Sequence, residues 1–532
     1  MHRELADHLQ SPNLYKTSRV LLVITLLLPL MALRRMPSVP PRAQPALLEL
    51  AAMRPDEVVS VIVQKAVKDN SVEALVLRLG GLVLQDLHII NALAAQLPAQ
   101  AAVELAQAPT VRWVSLDAPM LAAACKPPCA TKTTTKITPK SMPNVVTTGL
   151  GNVYPTAIDV TRLWTTTSGT QQGQGIAVAV IDSGIAASHP DFLDSQGQSR
   201  VVASVYLNRA TDNADDAYGH GTHVAGLIGG NGQASGGAFL GVAPQVNLVN
   251  VKVSDDAGNV STSDVVNGLQ WVLDHASQYN IRVVNLSVNS SLDQSYHVDP
   301  LDAAVEILWF NQIVVVAAAG NFGHNALYSP ANDPFVITVG AMDDLGTLDV
   351  LDDYVPKFSA YGTTSDGLAK PDVVAPGVNL ISPLASPDAV LAKTYADHVV
   401  NDPSASPRYF RMSGTSVAAP VVAGAAALVL QQNPDLTPDQ VKYRLMTTTQ
   451  SNVWHGMGAG YLDVYEAVTG TSTASANMGT PASQLLWTGP TPLNWTSANW
   501  GSANWGSANW GSANWGSANW SSANWGSDFW DN

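Results

Sequence analysis

Apolar positions along this chain follow two different rhythms. Compact apolar-rich runs occupy residues 176–181, 246–253, 281–288 and 313–319, and bounded runs of that length predict buried strands. Between and after them the spacing becomes helical. Leu269, Val272, Leu273 and Ala276 share one face of a helix after Ser263, and Leu301, Ala304, Val305 and Leu308 share one face of another. A later helix is predicted from Thr437, with Pro438 at its first position and Gln440 completing a capping box. Strands alternating with helices predict an α/β fold over residues 151–470: a mostly parallel sheet with helices on both faces.

Upstream, residues 41–120 read as a small α+β module. Strand-like residues 58–63 and 111–114 flank two Ala/Leu-rich stretches that read as helices. Residues 121–150 hold Lys126-Pro127-Pro128 and a Thr/Lys-rich stretch with little apolar periodicity, which predicts a linker. Past residue 471 no charged residue occurs until Asp528, and Ser-Ala-Asn-Trp-Gly recurs with tryptophans from Trp495 to Trp530 spaced by five. That period fits neither a lone strand nor a lone helix, so residues 471–532 are read as a repeat tail, disordered unless it coils so that the tryptophans stack.

Length and composition narrow the classes. A chain of 532 residues suits about three domains. A net charge of −15 with 27 Lys and Arg argues against a nucleic-acid partner, which needs clustered cations. Residues 20–33 are apolar and uncharged behind Arg3, Lys16 and Arg19, so residues 1–40 read as a secretory signal. A retained anchor is the alternative, because Arg34 and Arg35 follow directly. Cys125 and Cys129 are the two cysteines; a small disulfide and two free thiols both fit, and a metal site lacks the further ligands it needs.

Three separated motifs carry the chemistry: Val180-Ile181-Asp182-Ser183-Gly184, His220-Gly221-Thr222-His223 and Gly414-Thr415-Ser416-Val417-Ala418-Ala419-Pro420. They supply an acid, a base and a nucleophile. Taken singly, Asp182 is equally a strand-end cap, His220 a structural histidine and Ser416 a helix cap. Their joint occurrence in this order, with a fourth motif Ala317-Ala318-Ala319-Gly320-Asn321, resembles the subtilisin-like serine peptidases, or subtilases.

The resemblance implies that Asp182 orients His220, which takes the hydroxyl proton of Ser416 as that oxygen attacks a peptide carbonyl. Asn321 and the Ser416 backbone N–H then receive the oxyanion, and His223 is left a structural role. Ser287, Val288 and Asn289 resemble the substrate-binding edge, where glycine is more usual at the position of Asn289. Ala318 and Gly320 belong to a second wall of the pocket, with room for a sizeable apolar or neutral side chain and broad specificity. Residues 41–120 resemble a propeptide that assists folding and then inhibits, its C-terminal segment lying in the active site. The implied protein is an exported, self-processing zymogen acting on proteins or peptides, with its own propeptide as a partner and no required cofactor. Calcium is suggested only by Asp191, and the loop 229–237 departs from the liganding loop of calcium-binding relatives. A different class of function, attachment to cell wall or glycan or self-association, is carried by the tryptophan tail.

Overall fold

The structure is a computed structural model that describes residues 42–122, 151–165, 171–400, 409–450 and 455–486. The segment read as a signal or anchor, nearly all of the expected linker with Cys125 and Cys129, and the tail beyond residue 486 lie outside the described residues.

The N-terminal module runs α1 (Pro45–Met53), β1 (Val58–Lys65), α2 (Ser71–Arg78), β2 (Leu82–Leu87), β3 (Ala92–Pro98), α3 (Ala99–Leu105) and β4 (Val111–Leu116). Its four strands form an antiparallel sheet in the order β2-β3-β1-β4. Strand alternation splits its apolar residues between two cores. Val61, Val63, Leu93, Ala95 and Leu97 face the module's own core, while Ile62, Ala92 and Ala94 join the core of the larger body. Ala92–Pro98 is Ala/Leu-rich, yet it is a strand: small alanines on the outward face let the sheet approach its neighbour closely, and that packing overrides helix propensity. The chain leaves the module as β5 (Pro119–Ala122).

The body opens with the short helices α4 (Tyr154–Ala157) and α5 (Thr161–Trp164). It continues through β6 (Ala177–Asp182), β7 (Val201–Tyr206), α6 (His220–Gly229), β8 (Asn247–Lys252), β9 (Val260–Ser261), α7 (Thr262–Tyr279), β10 (Ile281–Leu286), β11 (Val288–Ser290), α8 (Pro300–Phe310), β12 (Val314–Ala318) and β13 (Ile337–Met342). A small hairpin, β14 (Gly362–Thr363) with β15 (Ala369–Lys370), leads to β16 (Val373–Pro376), and β17 (Leu380–Pro383), α9 (Val390–Thr394), β18 (Val399–Val400) and β19 (Tyr409–Met412) follow. The helices α10 (Thr415–Gln432), α11 (Pro438–Thr447) and α12 (Val464–Thr469) come last.

Seven strands form one parallel sheet in the order β16-β13-β12-β10-β6-β8-β7. The pair α7 and α8 packs on one face and the pair α6 and α10 on the other, the layered α/β arrangement predicted from the apolar runs. The predicted helix after Ser263 starts slightly earlier, at Thr262, because Ser261 and Asp264 form a capping box. The box at Thr437 and Gln440 is present as expected. α10 is apolar all round and long enough to cross a membrane, but nine-tenths of it is buried in this core.

The packed body extends past residue 470. Residues 471–486 form a strap: Ser472 O accepts from Arg444 Nε at 2.7 Å, Pro481 O from the Tyr296 hydroxyl at 2.9 Å, and Ser483 N–H donates to the Glu306 carboxylate at 2.7 Å. Leu485 and Leu486 are buried, and the strap ends against the N-terminal module, where Arg112 Nη1 donates to Leu486 O at 2.9 Å. This segment has no charge and little periodicity, so its docking has no local signature.

Candidate active site

Asp182 is the last residue of β6 and His220 the first of α6, so a strand end and a helix start deliver a carboxylate and an imidazole to one edge of the sheet. His220 Nδ1 lies 2.8 Å from Asp182 Oδ1 and 3.0 Å from Oδ2. Gly221 is required for this approach, since a Cβ there would lie 2.2 Å from Gly184 O. Asp182 also accepts from the Ser183 N–H at 2.7 Å.

The first N–H groups of α6 are satisfied from elsewhere in the chain rather than by an N-cap side chain. Gly221 N–H donates to Ser183 Oγ at 2.9 Å and Thr222 N–H to Asp216 Oδ2 at 2.8 Å. Asp216 Oδ1 receives Ser183 Oγ–H at 2.8 Å and Gly219 N–H at 2.7 Å. Asp216 and Ser183 therefore clamp the segment that carries His220. Burial works against an imidazolium at His220, but the charge and hydrogen bond of Asp182 and the charge of Asp216 outweigh it and hold the pKa above the usual histidine value. His220 Nε2 has no hydrogen-bond partner among the described residues.

Ser416 sits in the first turn of α10, which packs against α6. Its Oγ is buried and has no hydrogen-bond partner either. Pro420 lies four residues on, inside the helix, and lacks the N–H that would bond the Ser416 carbonyl. Ser287 Oγ takes that place, donating to Ser416 O at 2.8 Å, and is itself held by Asn285 Nδ2 at 2.9 Å. Asn321 Oδ1 accepts from Thr415 N at 2.9 Å and Thr415 Oγ1 at 3.1 Å. These bonds fix the amide in place beside the start of α10.

Val288 and Asn289, expected at a substrate-binding edge, lie on β11, which pairs with the chain's own β5. β5 pairs antiparallel with β11 on one side and β9 on the other. Ala122 lies opposite Val288, Leu121 opposite Asn289, and Met120 opposite both Ser290 and Val260. Met120 is buried, its sulfur 3.6 Å from Thr262 Oγ1. Asp117, just before β5, accepts from Ser263 N at 2.8 Å and Ser263 Oγ at 2.7 Å at the start of α7. Burial, opposed by these bonds, moves the Asp117 pKa up to about 6. A pocket beside β9 and β11 is lined by Tyr218, Val253, Val260 and Val288, with Asp182 and His220 in its wall.

Asn289 Nδ2 donates to Ala318 O at 2.8 Å, tying the edge strand to the wall that continues through Gly320 to Asn321.

The second histidine behaves differently. His223 Nε2 lies 3.2 Å from Leu380 O and 3.1 Å from Phe410 O, and burial with the nearby His220 pushes its pKa down to about 3. It is a neutral donor to two carbonyls. Asp191 does not fit a calcium ligand: its carboxylate is taken up by the Ala234 N–H at 2.8 Å and the Tyr409 hydroxyl at 2.9 Å, both donors. Among the described residues no group of three or more His, Cys, Asp or Glu side chains is placed to hold a metal.

Sequence reasoning missed Asp216, Ser183 and Asp117. Asp216 had a faint signal, an Asp shortly before a glycine and a helix start. Asp117 had none, since its partner Ser263 is 146 residues away.

Residues 173–463 match a family model described as the subtilase family, and residues 493–528 match eight copies of a pentapeptide-repeat model. Serine protease AprX of Bacillus subtilis (strain 168) is 40% identical over 319 residues, covering 57% of this chain and 68% of AprX. Subtilisin DY of Bacillus licheniformis is 34% identical over 294 residues, covering 54% of this chain and 89% of that protein. Among solved structures, fervidolysin from Fervidobacterium pennivorans, described as a keratinolytic enzyme related to subtilisin, superposes with a TM-score of 0.59 at 26% identity. The match covers 78% of this chain and 61% of fervidolysin.

Proposed function

The chain belongs to the subtilase family and is a serine endopeptidase, and from that premise we propose that Ser416 is its nucleophile, His220 its general base and Asp182 the acid that orients the base. The observation that carries this reading is the pairing of Asp182 with His220 Nδ1 at 2.8 Å while His220 Nε2 and Ser416 Oγ are both left without partners. A proton on Nδ1, held by Asp182, leaves the Nε2 lone pair to take the Ser416 proton as Oγ adds to the peptide carbonyl. The developing oxyanion meets the Ser416 N–H at the positive end of α10 and the Asn321 amide. His220 passes the proton to the leaving amine, and a water activated by the same nitrogen then releases the acyl group from Ser416.

Residues 41–120 are read as a propeptide whose C-terminal segment is seated as a substrate would be, because β5 completes an antiparallel sheet between β9 and β11. Ala122 lies opposite Val288, so the chain runs toward Ser287 and the Ser416 carbonyl it bonds. The molecule is therefore a zymogen that cuts its own chain after β5. The apolar run at residues 20–33 behind a basic leader supports export, and proteins or peptides are the substrates.

Wild type and Ser416→Ala, produced side by side, test this reading. Chain shortening and casein hydrolysis are expected in the wild type alone, with loss on the order of the 10⁶-fold known from subtilisin itself. Equal processing and equal hydrolysis in both would remove Ser416 from the mechanism.

A further inference from the structure

We propose that Asn289 sets the primary side-chain preference of this peptidase, limiting it to small residues and favouring those whose side chain donates a hydrogen bond, serine and threonine above all. The proposal rests on the peptidase reading and names the substrate class of that same site.

The geometry follows from the register of β5. A chain bound there pairs antiparallel with β11, with successive residues opposite Ser290, Asn289 and Val288. The next residue falls opposite Ser287, whose hydroxyl bonds the Ser416 carbonyl, so it presents its own carbonyl to the nucleophile. In a pleated sheet, side chains two apart share a face. The side chain of that next residue therefore points to the same face as those of Ser287 and Asn289, toward Ala318 and Gly320.

Asn289 already occupies that space. It is 1% exposed, and Nδ2 donates to Ala318 O at 2.8 Å. Its Oδ1 lies 3.5 Å from where a Cβ on Gly320 would be. The carboxamide thus links the edge strand to the opposite wall and shortens the pocket between them. Donation to Ala318 O fixes which end of the amide is nitrogen. The other end, Oδ1, is buried with no hydrogen-bond partner among the described residues. A buried acceptor left unpaired is costly and asks for a donor. A serine or threonine hydroxyl supplies one within a short reach, whereas an aromatic or leucine side chain would have to displace the carboxamide and break its bond to Ala318. The chain's own sequence agrees, since the residues following β5 are Ala123, Ala124 and Cys125, all small.

The test uses the processed enzyme matured from the full chain and a series of peptide anilides differing only in the residue that donates the scissile carbonyl: Ser, Thr, Ala, Leu, Phe and Tyr. In the wild type, kcat/KM for Ser and Ala should exceed that for Phe and Tyr by about tenfold or more, the scale at which pocket fit discriminates. Ser should exceed Ala, because the two differ by the donor alone. Asn289→Gly, with Asn289→Ala as a second variant, should move the Phe-to-Ala ratio upward by about tenfold or more and erase the Ser-over-Ala preference. A wild type preferring Phe or Tyr, or an unchanged ratio in the variants, overturns the proposal. Equal rates on Ser and Ala in the wild type overturn its acceptor half. The wild-type profile decides the size preference even if neither variant folds. If the wild type hydrolyses no peptide and a fluorophosphonate does not label Ser416, the peptidase reading itself has failed, and this inference falls with it.

Discussion

Two groups of buried carboxylates lie in the body of this molecule; burial raises the pKa of Asp216 in one as it does those in the other, and what separates them is the partner each faces. At the ends of β6 and α6, Asp182 and Asp216 are surrounded by donors: His220 Nδ1, Ser183 and the N–H groups of Gly219 and Thr222. Around the start of α8, Asp299, Asp302, Glu306 and Asp333 crowd together. The nearby Lys370 and Lys442 lie 2.8 Å and 3.0 Å from Asp372, and the charge of Lys370 also opposes the upward shift at Asp333. Burial drives the Asp299 and Asp333 pKa values up to about 6, and burial with mutual repulsion drives Asp302 and Glu306 well above the usual range. The first group uses its charge to raise the basicity of a histidine whose other nitrogen has no partner. In the second, burial favours the protonated form of Asp302 and Glu306, and the group serves packing, with Glu306 receiving the strap at Ser483. Burial alone does not mark a functional carboxylate; the partner it faces does.

Removing charge from each group should therefore have unlike consequences. Asp182→Asn should lower kcat by about 10⁴-fold, because an amide in that place favours the wrong histidine tautomer. Initial rates measured against substrate concentration at fixed pH give the kcat that checks it, and a loss under tenfold would mean that Asp182 does not orient the base. Asp216→Asn should act more gently and through the pH profile. Asp216 helps to raise the His220 pKa, and the base works only when neutral, so kcat/KM rises with pH through that pKa. Losing the Asp216 charge should move the inflection to lower pH, with a turnover loss of about tenfold from the loosened Gly219–Thr222 segment. An inflection that stays in place would assign Asp216 a purely structural role.

The same contrast explains what was legible in the sequence. Strands β6, β8, β10 and β12 announced themselves because a parallel sheet buried on both faces leaves continuous apolar runs. The motif residues Asp182, His220, Ser416 and Asn321 fall at strand ends and helix starts, where local sequence dictates geometry. β3 was hidden because alanine reads as helix former wherever close sheet packing is not visible. β5 and β9 were hidden because their pairing joins residues 119–120 to 260–261, and the strap was hidden because it docks through backbone groups. Asn289 was visible as a departure from glycine, but its meaning depends on Ala318 O, 29 residues further on. The acid group around α8 was invisible for a similar reason: Asp299 and Asp302 lie on one helix start, Asp333 beyond β12.

The smallest effect belongs to that second group, and its sign distinguishes the two. Asp302 is fully buried and its Oδ2 has no hydrogen-bond partner, while Ser329 Oγ lies 2.9 Å from Oδ1. Its pKa is higher folded than unfolded, so the folded state binds the extra proton. The stability this contributes is present below the ordinary aspartate value of 3.8 and is lost as pH rises through the folded pKa. Asp299 and Asp333, both moved up to about 6, act in the same direction. Asp302→Asn replaces a protonated acid by a neutral isostere, so at pH 5 the unfolding free energy should change by less than about 1 kcal/mol. Toward pH 9 the variant should become the more stable of the two, because it no longer has a proton to lose from a site that cannot hold the charge. Denaturant unfolding of the Ser416→Ala background, which prevents self-digestion, measures both ends of that range. A variant equally destabilised at pH 5 and pH 9 would show that Asp302 is charged when folded, and the two carboxylate groups would then be alike.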